Sequence, residues 1–336
     1  MAISEFDIIS RFFDGRGPQR ADVTRGIGDD GAVLRVPPGQ ELVAVLDTLV
    51  KGVHFPDNTP AEAIGYKALA VNLSDLAAMG AEPAWFSLGL TLPGRDMGWL
   101  EQFSAGLFGL AGRHGLQLVG GDTTRGPLTV TIQAHGFVPC GGACSRAGAR
   151  EGDDVYVTGT LGDAGLALMA IAGRYRVAGS GGEYLRDRLE RPVPRVALGM
   201  ALRGLVHAMV DVSDGLLADL GHVLRASGVG ARISVERIPL SRAMQAARDE
   251  LGERQCLDLA LSAGDDYELC FVAPPSSRGE IMRLAEAHGC SCSRIGVVES
   301  GGRLVCVRED GRVYRTGRRG YDHFADAGRG RPDEKQ

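Results

Sequence analysis

The residues in this sequence that could do chemistry are mainly aspartates, which lie beside glycine at turns or at the ends of apolar runs. They fall in six segments: GIGDDG (26–31), LDT (46–48), NLSD (72–75), GGDTTRG (120–126), DVSDG (211–215) and SAGDDYEL (262–269). Two carboxylates about 4 Å apart repel each other by about 4 kcal/mol at an effective dielectric constant of about 20. Carboxylates that converge therefore need cations, and hard oxygen ligands in such number favour Mg²⁺ or Ca²⁺ over zinc.

Glycine is abundant and lysine is scarce, and both facts bear on how a phosphate could be bound. The chain has 49 glycines, and its three lysines are Lys51, Lys67 and Lys335. A P-loop needs a Gly-Lys pair, and none of these lysines follows a glycine, so there is no P-loop. Glycine turns let the backbone approach a ligand closely. Aspartates and glycines without a P-loop lysine therefore predict phosphates held through bridging Mg²⁺.

A plainer interpretation competes with this one for each aspartate taken alone. Aspartate beside glycine is ordinary turn chemistry, and aspartate often caps helices; Asp163 fits that interpretation. The glycines at 159, 162 and 165 are interpreted as a turn near the nucleotide. No segment has EF-hand spacing. The functional hypothesis therefore depends on the whole set of aspartates rather than on one member.

Length and composition narrow the class of protein. At roughly 100–200 residues per domain, 336 residues predict about two domains. The net charge of -5 argues against a broad nucleic-acid surface, and no apolar run is long enough to span a membrane. The N-terminus does not resemble a signal peptide, and the seven cysteines lack zinc-ligand spacing, which fits reduced thiols. We expect a cytoplasmic protein without nucleic-acid or membrane partners.

The chain alternates between strand-like and helix-like runs, and this alternation predicts a mixed α/β (α+β) fold. These elements must position the aspartates. Thr59 is predicted to cap a helix that has Pro60 at its first position and ends at Gly80. Strands are predicted at 41–46, 84–92, 116–119, 128–138, 155–158, 207–212, 269–272, 294–298 and 304–307. Further helices are predicted at 96–114, 163–172 and 216–226.

The start of the chain predicts a short helix. Ser4 and Asp7 have capping-box spacing, and Phe6, Ile9 and Phe13 are expected to share its buried face.

The domain boundaries follow from where the alternation of strand-like and helix-like runs pauses. The predicted domains are 1–140 and 150–325, joined through the Gly- and Cys-bearing stretch, and the small, charged tail 326–336 is expected to be disordered.

The ordered set of motifs resembles the thiamine-monophosphate kinase family, within the aminoimidazole ribonucleotide synthetase-like superfamily. The carrying segments are GIGDDGAVL (26–34), DTLVKGVHF (47–55), NLSDLAAMGAEP (72–83), GGDTTRG (120–126), SRAGAREGDDVYVTGTLGDAG (145–165), DVSDGL (211–216), GDDYELCF (264–271) and GYDHF (320–324). The resemblance implies an N-terminal sheet or barrel domain that pairs in a homodimer, and a C-terminal α/β sandwich. It also implies direct transfer of a phosphoryl group from ATP to thiamine monophosphate, the final step of thiamine diphosphate biosynthesis.

The resemblance implies roles for individual residues. The implied Mg²⁺ ligands are Asp30, Asp47, Asp75, Asp122, Asp211 and Asp214. The implied ATP contacts are Gly121, Asp122, Arg146 and Ser213, and the implied contacts with thiamine monophosphate are His54, Asp265 and Tyr321. An arginine can bind phosphate oxygens through two hydrogen bonds, and an aromatic ring can stack on a cationic heterocycle.

The chain departs from the family pattern in two ways. The family usually has hydroxyl residues just before the strand-end aspartate, and this chain has Val45 and Leu46 there, which removes hydroxyl ligation of one metal. The usual glutamate in the last acidic motif is Asp265, one methylene shorter. Three alternatives stay open: another enzyme of the superfamily, a nucleotide-binding module without catalysis, and a metal-dependent phosphohydrolase.

Overall fold

The computed structural model describes residues 4–177, 181–317 and 320–321, and these residues form two mixed α/β domains. The predicted fold class is therefore confirmed. The expected disordered tail at 326–336 lies outside the described residues. The elements of the first domain are α1 (Glu5–Phe12), β1 (Val23–Arg25), β2 (Val33–Leu34), β3 (Gln40–Val50), α2 (Ala61–Ala78), β4 (Glu82–Leu92), α3 (Met97–His114), β5 (Gln117–Arg125) and β6 (Thr129–Pro139).

The first domain is built on a four-stranded sheet in the order β3-β6-β4-β5. Strands β4 and β5 run parallel, and the other neighbours are antiparallel. Helices α2 and α3 pack together through two glycines. A Cβ on Gly65 would lie 2.1 Å from the carbonyl oxygen of Phe103, and one on Gly106 would lie 1.9 Å from that of Glu62. The two helix backbones therefore touch, which only glycine allows.

The second domain has a seven-stranded sheet in the order β13-β12-β9-β11-β7-β10-β8, in which only β12 and β9 are parallel neighbours among the described strands. Its strands are β7 (Asp154–Thr158), β8 (Ala208–Asp211), β9 (Gly230–Ser234), β10 (Leu269–Ala273), β11 (Cys292–Glu299), β12 (Leu304–Val307) and β13 (Val313–Tyr314). Its helices are α4 (Asp163–Ile171), α5 (Gly181–Glu190), α6 (Val196–Ala201), α7 (Leu216–Ser227), α8 (Arg242–Leu251), α9 (Glu253–Ser262) and α10 (Arg278–Ala287).

Helix α2 joins the two domains. Sixteen of its eighteen residues are buried, which explains why its sequence is apolar on every side. It packs on the first sheet, on α3 and on α6 of the second domain, where a Cβ on Gly199 would lie 2.2 Å from the carbonyl oxygen of Ala77. Tyr156 and Phe271, stacked on one face of the second sheet, belong to the same hydrophobic core as this helix. One core therefore runs through both domains and holds their facing residues in place.

Most predicted elements are present, with differences at their ends and some omissions. The predicted capping box at Ser4 is confirmed, and Phe13 is buried as predicted, but Phe6 is 79% exposed, and Ile8 and Phe12 complete the buried face. The predicted cap by Thr59 is wrong, because α2 begins after Pro60 without a side-chain cap. The pattern did not predict the strands β1, β2, β9 and β13 or the helices α5, α6 and α8 to α10. Among the described residues, no helix is long and apolar enough to cross a membrane.

Candidate active site

A cavity of about 970 Å³ lies between the two domains and is lined by half of the predicted site residues. The end of β3 and the loop after it supply one wall. The loop after β8, the loop before β10 and residues 320–321 supply another. Six predicted site residues line the cavity: Asp47, His54, Ser213, Asp214, Asp265 and Tyr321. Of the last motif, residues 322–324 lie outside the described residues.

Three carboxylates interact at or beside this cavity: Asp211 is buried, and Asp47 and Asp75 are partly buried. Burial, followed by repulsion from Asp211 and Asp47, raises the pKa of Asp75 to about 8, although the positive charge of Arg146 opposes the shift. Burial also raises the pKa of Asp47 and raises that of Asp211 to about 6. The hydroxyl of Ser74 donates a hydrogen bond of 2.7 Å to Asp211 across the domain boundary. Burial therefore opposes the charged forms of all three carboxylates, and the charge of Arg146 does not cancel that effect at Asp75.

This donor set fits a hard divalent cation. Carboxylate oxygens with raised pKa values regain their charge when a cation replaces the shared proton. As they stand, however, no three His, Cys, Asp or Glu side chains within the described ranges are grouped closely enough to hold a metal ion. A shared ion at Asp47, Asp75 and Asp211 therefore requires these side chains to rotate towards one another.

Three site segments of the second domain are joined by backbone hydrogen bonds. The N–H groups of Asp265 and Tyr321 donate to the carbonyl oxygens of Ser213 and Asp214, at 2.9 and 3.0 Å. Gly264 allows this approach, because a Cβ there would lie 2.4 Å from the Ser213 oxygen. Asp265 itself has a φ of 68°, a left-handed conformation that costs a non-glycine residue about 1–2 kcal/mol. The pairing of the segments holds this conformation.

Asp219, which the sequence analysis missed, organises the loop before α7. Its Oδ2 accepts the N–H groups of Ser213, Asp214 and Gly215, at 3.0, 3.0 and 3.1 Å. Burial, followed by repulsion from Asp211, raises the pKa of Asp219 to about 7. An aspartate in the first turn of a helix after a Ser-Asp-Gly loop is the sequence signal that could have identified it.

The sequence matches known proteins along almost its whole length. Residues 28–138 match the AIR synthase related protein N-terminal domain, and residues 150–309 match the AIR synthase related protein C-terminal domain. Thiamine-monophosphate kinase of Escherichia coli (strain K12) is 48% identical over 327 residues, which cover 97% of this chain and 99% of that protein. The chain belongs to the thiamine-monophosphate kinase family.

Solved structures of the thiamine-monophosphate kinase family agree with this assignment. The crystal structure of the enzyme from Stenotrophomonas maltophilia K279a has a TM-score of 0.84 and 47% sequence identity, covering 94% of this chain and 99% of that chain. A structure of AaThiL complexed with AMPPCP and TMP has a TM-score of 0.76 and 30% identity, covering 90% and 93% of the two chains.

Three more residues implied by the thiamine-monophosphate kinase family lie in a second cavity, whereas Arg146 lines neither cavity and acts through its charge on Asp75 and Asp211. Asp30, Gly121 and Asp122 line a space of about 270 Å³ between the 26–31 loop and strands β4 and β5, and its lining includes none of the residues of the interdomain cavity. Sheet order explains the separation, because β3, which carries Asp47, and β5, which carries Gly121 and Asp122, are the two opposite edges of the first sheet. Asp122 also lies on the sheet face opposite that of Asp47. The implied metal ligands are therefore divided between two places.

The two departures from the thiamine-monophosphate kinase pattern have visible surroundings. Val45 packs against the core, and Leu46 is 58% exposed and lines the interdomain cavity. The nearest strand hydroxyl, that of Thr48, lies 2.9 Å from the hydroxyl oxygen of Thr131. Leu46 thus adds apolar surface, rather than a ligand, where the family has a hydroxyl.

Proposed function

We propose that this chain transfers the γ-phosphoryl group of ATP to thiamine monophosphate, giving ADP and thiamine diphosphate. The observation that carries the proposal is the interdomain cavity. It brings residues of both domains together beside three carboxylates whose charged forms are disfavoured by burial until a cation binds. Family membership and the AaThiL complex with AMPPCP and TMP support the same reaction.

The chemistry demands little from acid–base groups. The accepting phosphate is already anionic near neutral pH, so it can attack the γ-phosphorus of ATP in line without a strong base. The protein's contribution is to position two highly charged substrates and to offset their repulsion. Arg146 suits the nucleotide phosphates, because a guanidinium binds phosphate oxygens through two hydrogen bonds. A direct transfer of this kind passes through no phosphoenzyme.

The residue roles belong to this proposal. Mg²⁺, when bound, would neutralise charge on the transferring phosphates. The proposed ligands are Asp30, Asp47, Asp75, Asp122, Asp211 and Asp214. The proposed nucleotide contacts are Gly121, Asp122, Arg146 and Ser213. His54, Asp265 and Tyr321 are proposed to bind the heterocycles of the acceptor, and all three line the interdomain cavity.

A homodimer is also part of the proposal. Strand β3 is an eleven-residue edge strand of the first sheet, and one of its faces presents Leu42 and Leu46, which are 45% and 58% exposed. Long apolar edge strands are usually paired or covered. We propose that two copies meet along this strand. The cytoplasmic location expected from the sequence stays a prediction.

The direct test is an ADP-release assay with purified protein and Mg·ATP, with and without thiamine monophosphate. We expect ADP release only when the acceptor is present, together with equimolar thiamine diphosphate. ADP release that does not depend on the acceptor would instead indicate a phosphohydrolase. Binding of Mg·ATP without any turnover would indicate a nucleotide-binding module.

A further inference from the structure

Lys67 lies in the middle of helix α2 with its side chain only 2% exposed. A buried ammonium is costly unless charged or polar partners surround it, so its partners indicate why it is there. The matched residue for comparison is Lys51, whose side chain is 45% exposed and which lies 3.8 Å from Asp57. In the sequence, Lys67 is evidence only against a P-loop, and its role emerges from its partners in the fold.

The Lys67 ammonium connects the two domains at the acceptor end of the cavity. Its Nζ lies 3.0 Å from Oδ1 of Asp265 in the second domain, and it donates a hydrogen bond of 3.2 Å to the carbonyl oxygen of His54 in the first. The ring of Tyr267 has its centroid 6.0 Å from Nζ. The carboxylate of Glu190 on α5 also interacts with this charge. Lys67 thus contacts two residues that are proposed to bind the acceptor.

One oxygen of Asp265 is held by two donors. Besides the ammonium of Lys67, the hydroxyl of Tyr267 donates to Oδ1 at 3.1 Å. Within the described part of the chain, Oδ2 of Asp265 accepts no hydrogen bond, and Asp265 lines the cavity with its side chain 25% exposed. A carboxylate fixed through one oxygen can offer the other to an N–H donor of a ligand in a defined direction.

We propose that Lys67 is a positioning residue for the acceptor. Its ammonium binds both the Asp265 carboxylate and the carbonyl oxygen of His54, and it thereby holds Asp265 against the first domain. This inference rests on the proposed function, because it assumes that Asp265 contacts thiamine monophosphate. Lys67 itself touches neither substrate. Its effect is to remove the freedom of a short aspartate side chain before the acceptor binds.

The first test is Lys67→Met, which keeps the length and apolar stem of the side chain and removes its charge. We expect the KM for thiamine monophosphate to rise about 10- to 100-fold, as for losing a hydrogen bond to a charged group, while the KM for ATP changes less than about threefold. Lys67→Arg should recover part of the loss, and Lys51→Met should match wild type. An unchanged acceptor KM with a lowered melting temperature would show a merely structural role and overturn the proposal.

A double-mutant cycle tests whether Lys67 acts through Asp265. Asp265→Asn alone should raise the acceptor KM, and adding Lys67→Met should raise it little further, because the two residues share one contact. If the two factors multiply, the proposal is wrong. Should Lys67→Met fail to fold, Tyr267→Phe removes the other donor to Oδ1. It should raise the acceptor KM about two- to tenfold, and no rise would contradict the proposed role of that oxygen.

The wild-type protein separates this inference from the proposed function. If wild type does not phosphorylate thiamine monophosphate, the proposed function and this inference both fall. If wild type turns over normally and Lys67→Met has an unchanged acceptor KM, the proposed function stands and only the role of Lys67 is rejected.

Discussion

At the scale of single residues, the buried carboxylates link activity to instability. Burial disfavours the charged forms of Asp47, Asp75 and Asp211 in the absence of a cation, and repulsion from Asp211 and Asp47 adds to the raised pKa of Asp75. A site built to attract cations is therefore expected to destabilise the metal-free fold, which is a common compromise between stability and function.

Replacing Asp75 by asparagine should separate these two effects. Asp75→Asn removes a proposed metal ligand, so we expect turnover to fall by at least about 100-fold. Asparagine needs no proton to stay neutral, so the variant avoids the free-energy cost of protonating this shielded carboxyl at neutral pH, and without Mg²⁺ it should have a higher free energy of unfolding than wild type. Steady-state kinetics and urea denaturation in EDTA measure the two effects. Asp57→Asn, at a side chain 82% exposed, is the control and should change neither.

The same variant should reveal a pH dependence with a definite sign. Because the folded-state pKa of Asp75 is raised to about 8, the folded protein keeps a proton there that the unfolded chain releases near its ordinary pKa. The contribution of Asp75 to the free energy of unfolding is therefore largest at low pH and falls as the pH rises towards 8. The advantage of Asp75→Asn over wild type should therefore grow with pH, by at most about 1.4 kcal/mol per unit. A constant difference between about pH 5 and pH 8 would show that ionisation of Asp75 does not destabilise the fold.

Tyr321 provides a further prediction at this scale. Its side chain is 50% exposed at the rim of the interdomain cavity, where its ring can stack on the cationic heterocycle of the acceptor. We expect Tyr321→Ala to raise the acceptor KM about 3- to 30-fold, the range of a cation–π contact, and to leave the KM for ATP nearly unchanged. Tyr321→Phe keeps the ring and should behave like wild type. Equal effects of the two variants would argue against stacking.

At the scale of elements, the crossing of α2 and α3 determines where Asp75 and Lys67 lie. The crossing depends on Gly65 and Gly106, which bring the two helix backbones into contact. A displaced α2 would move its polar residues relative to both domains. The geometry of the site therefore depends on glycines that do not line the interdomain cavity.

Two alanine substitutions in the same helix test this dependence. Gly106→Ala puts a Cβ 1.9 Å from a backbone oxygen of α2, so it should lower the free energy of unfolding by about 1–3 kcal/mol. Gly109→Ala meets no atom within 4 Å and should instead stabilise the exposed face of α3 by about 0.5–1 kcal/mol. Chemical denaturation measures both. A Gly106→Ala variant as stable as Gly109→Ala would show that the helices can separate without cost.

At the scale of the whole molecule, the edge strand β3 is expected to determine the oligomeric state. Leu42→Glu puts a charge on the exposed apolar face of that strand, and we expect it to convert a dimer to a monomer. Val313→Glu, at a side chain 58% exposed on the second domain, should leave the dimer intact. Analytical ultracentrifugation measures the mass. A monomeric wild type, or a dimeric Leu42→Glu, would contradict the proposed interface.

The sequence pattern predicted helices and strands better than it predicted which residues contact one another in the folded protein. The strand that contains Asp47 and the helix that carries Asp75 were recognised because apolar runs and their Pro and Gly boundaries are local properties, although the strand continues past Asp47 to Val50. The cap at Thr59 was mistaken because Pro60 occupies the cap position itself. Lys67 was missed as a functional residue because its partner, Asp265, belongs to the other domain, and no local pattern connects the two.

The sequence by itself determined the family, the mixed α/β fold class and the absence of a P-loop, since these depend on the order of motifs and on residue types. Only the tertiary structure decided which of those residues meet. Strand register placed Asp122 on the sheet face opposite that of Asp47, and one continuous core packed helix α2 between the domains. Burial there gives Asp75 its raised pKa and Lys67 its two partners, because charge interactions become strong only where water is excluded.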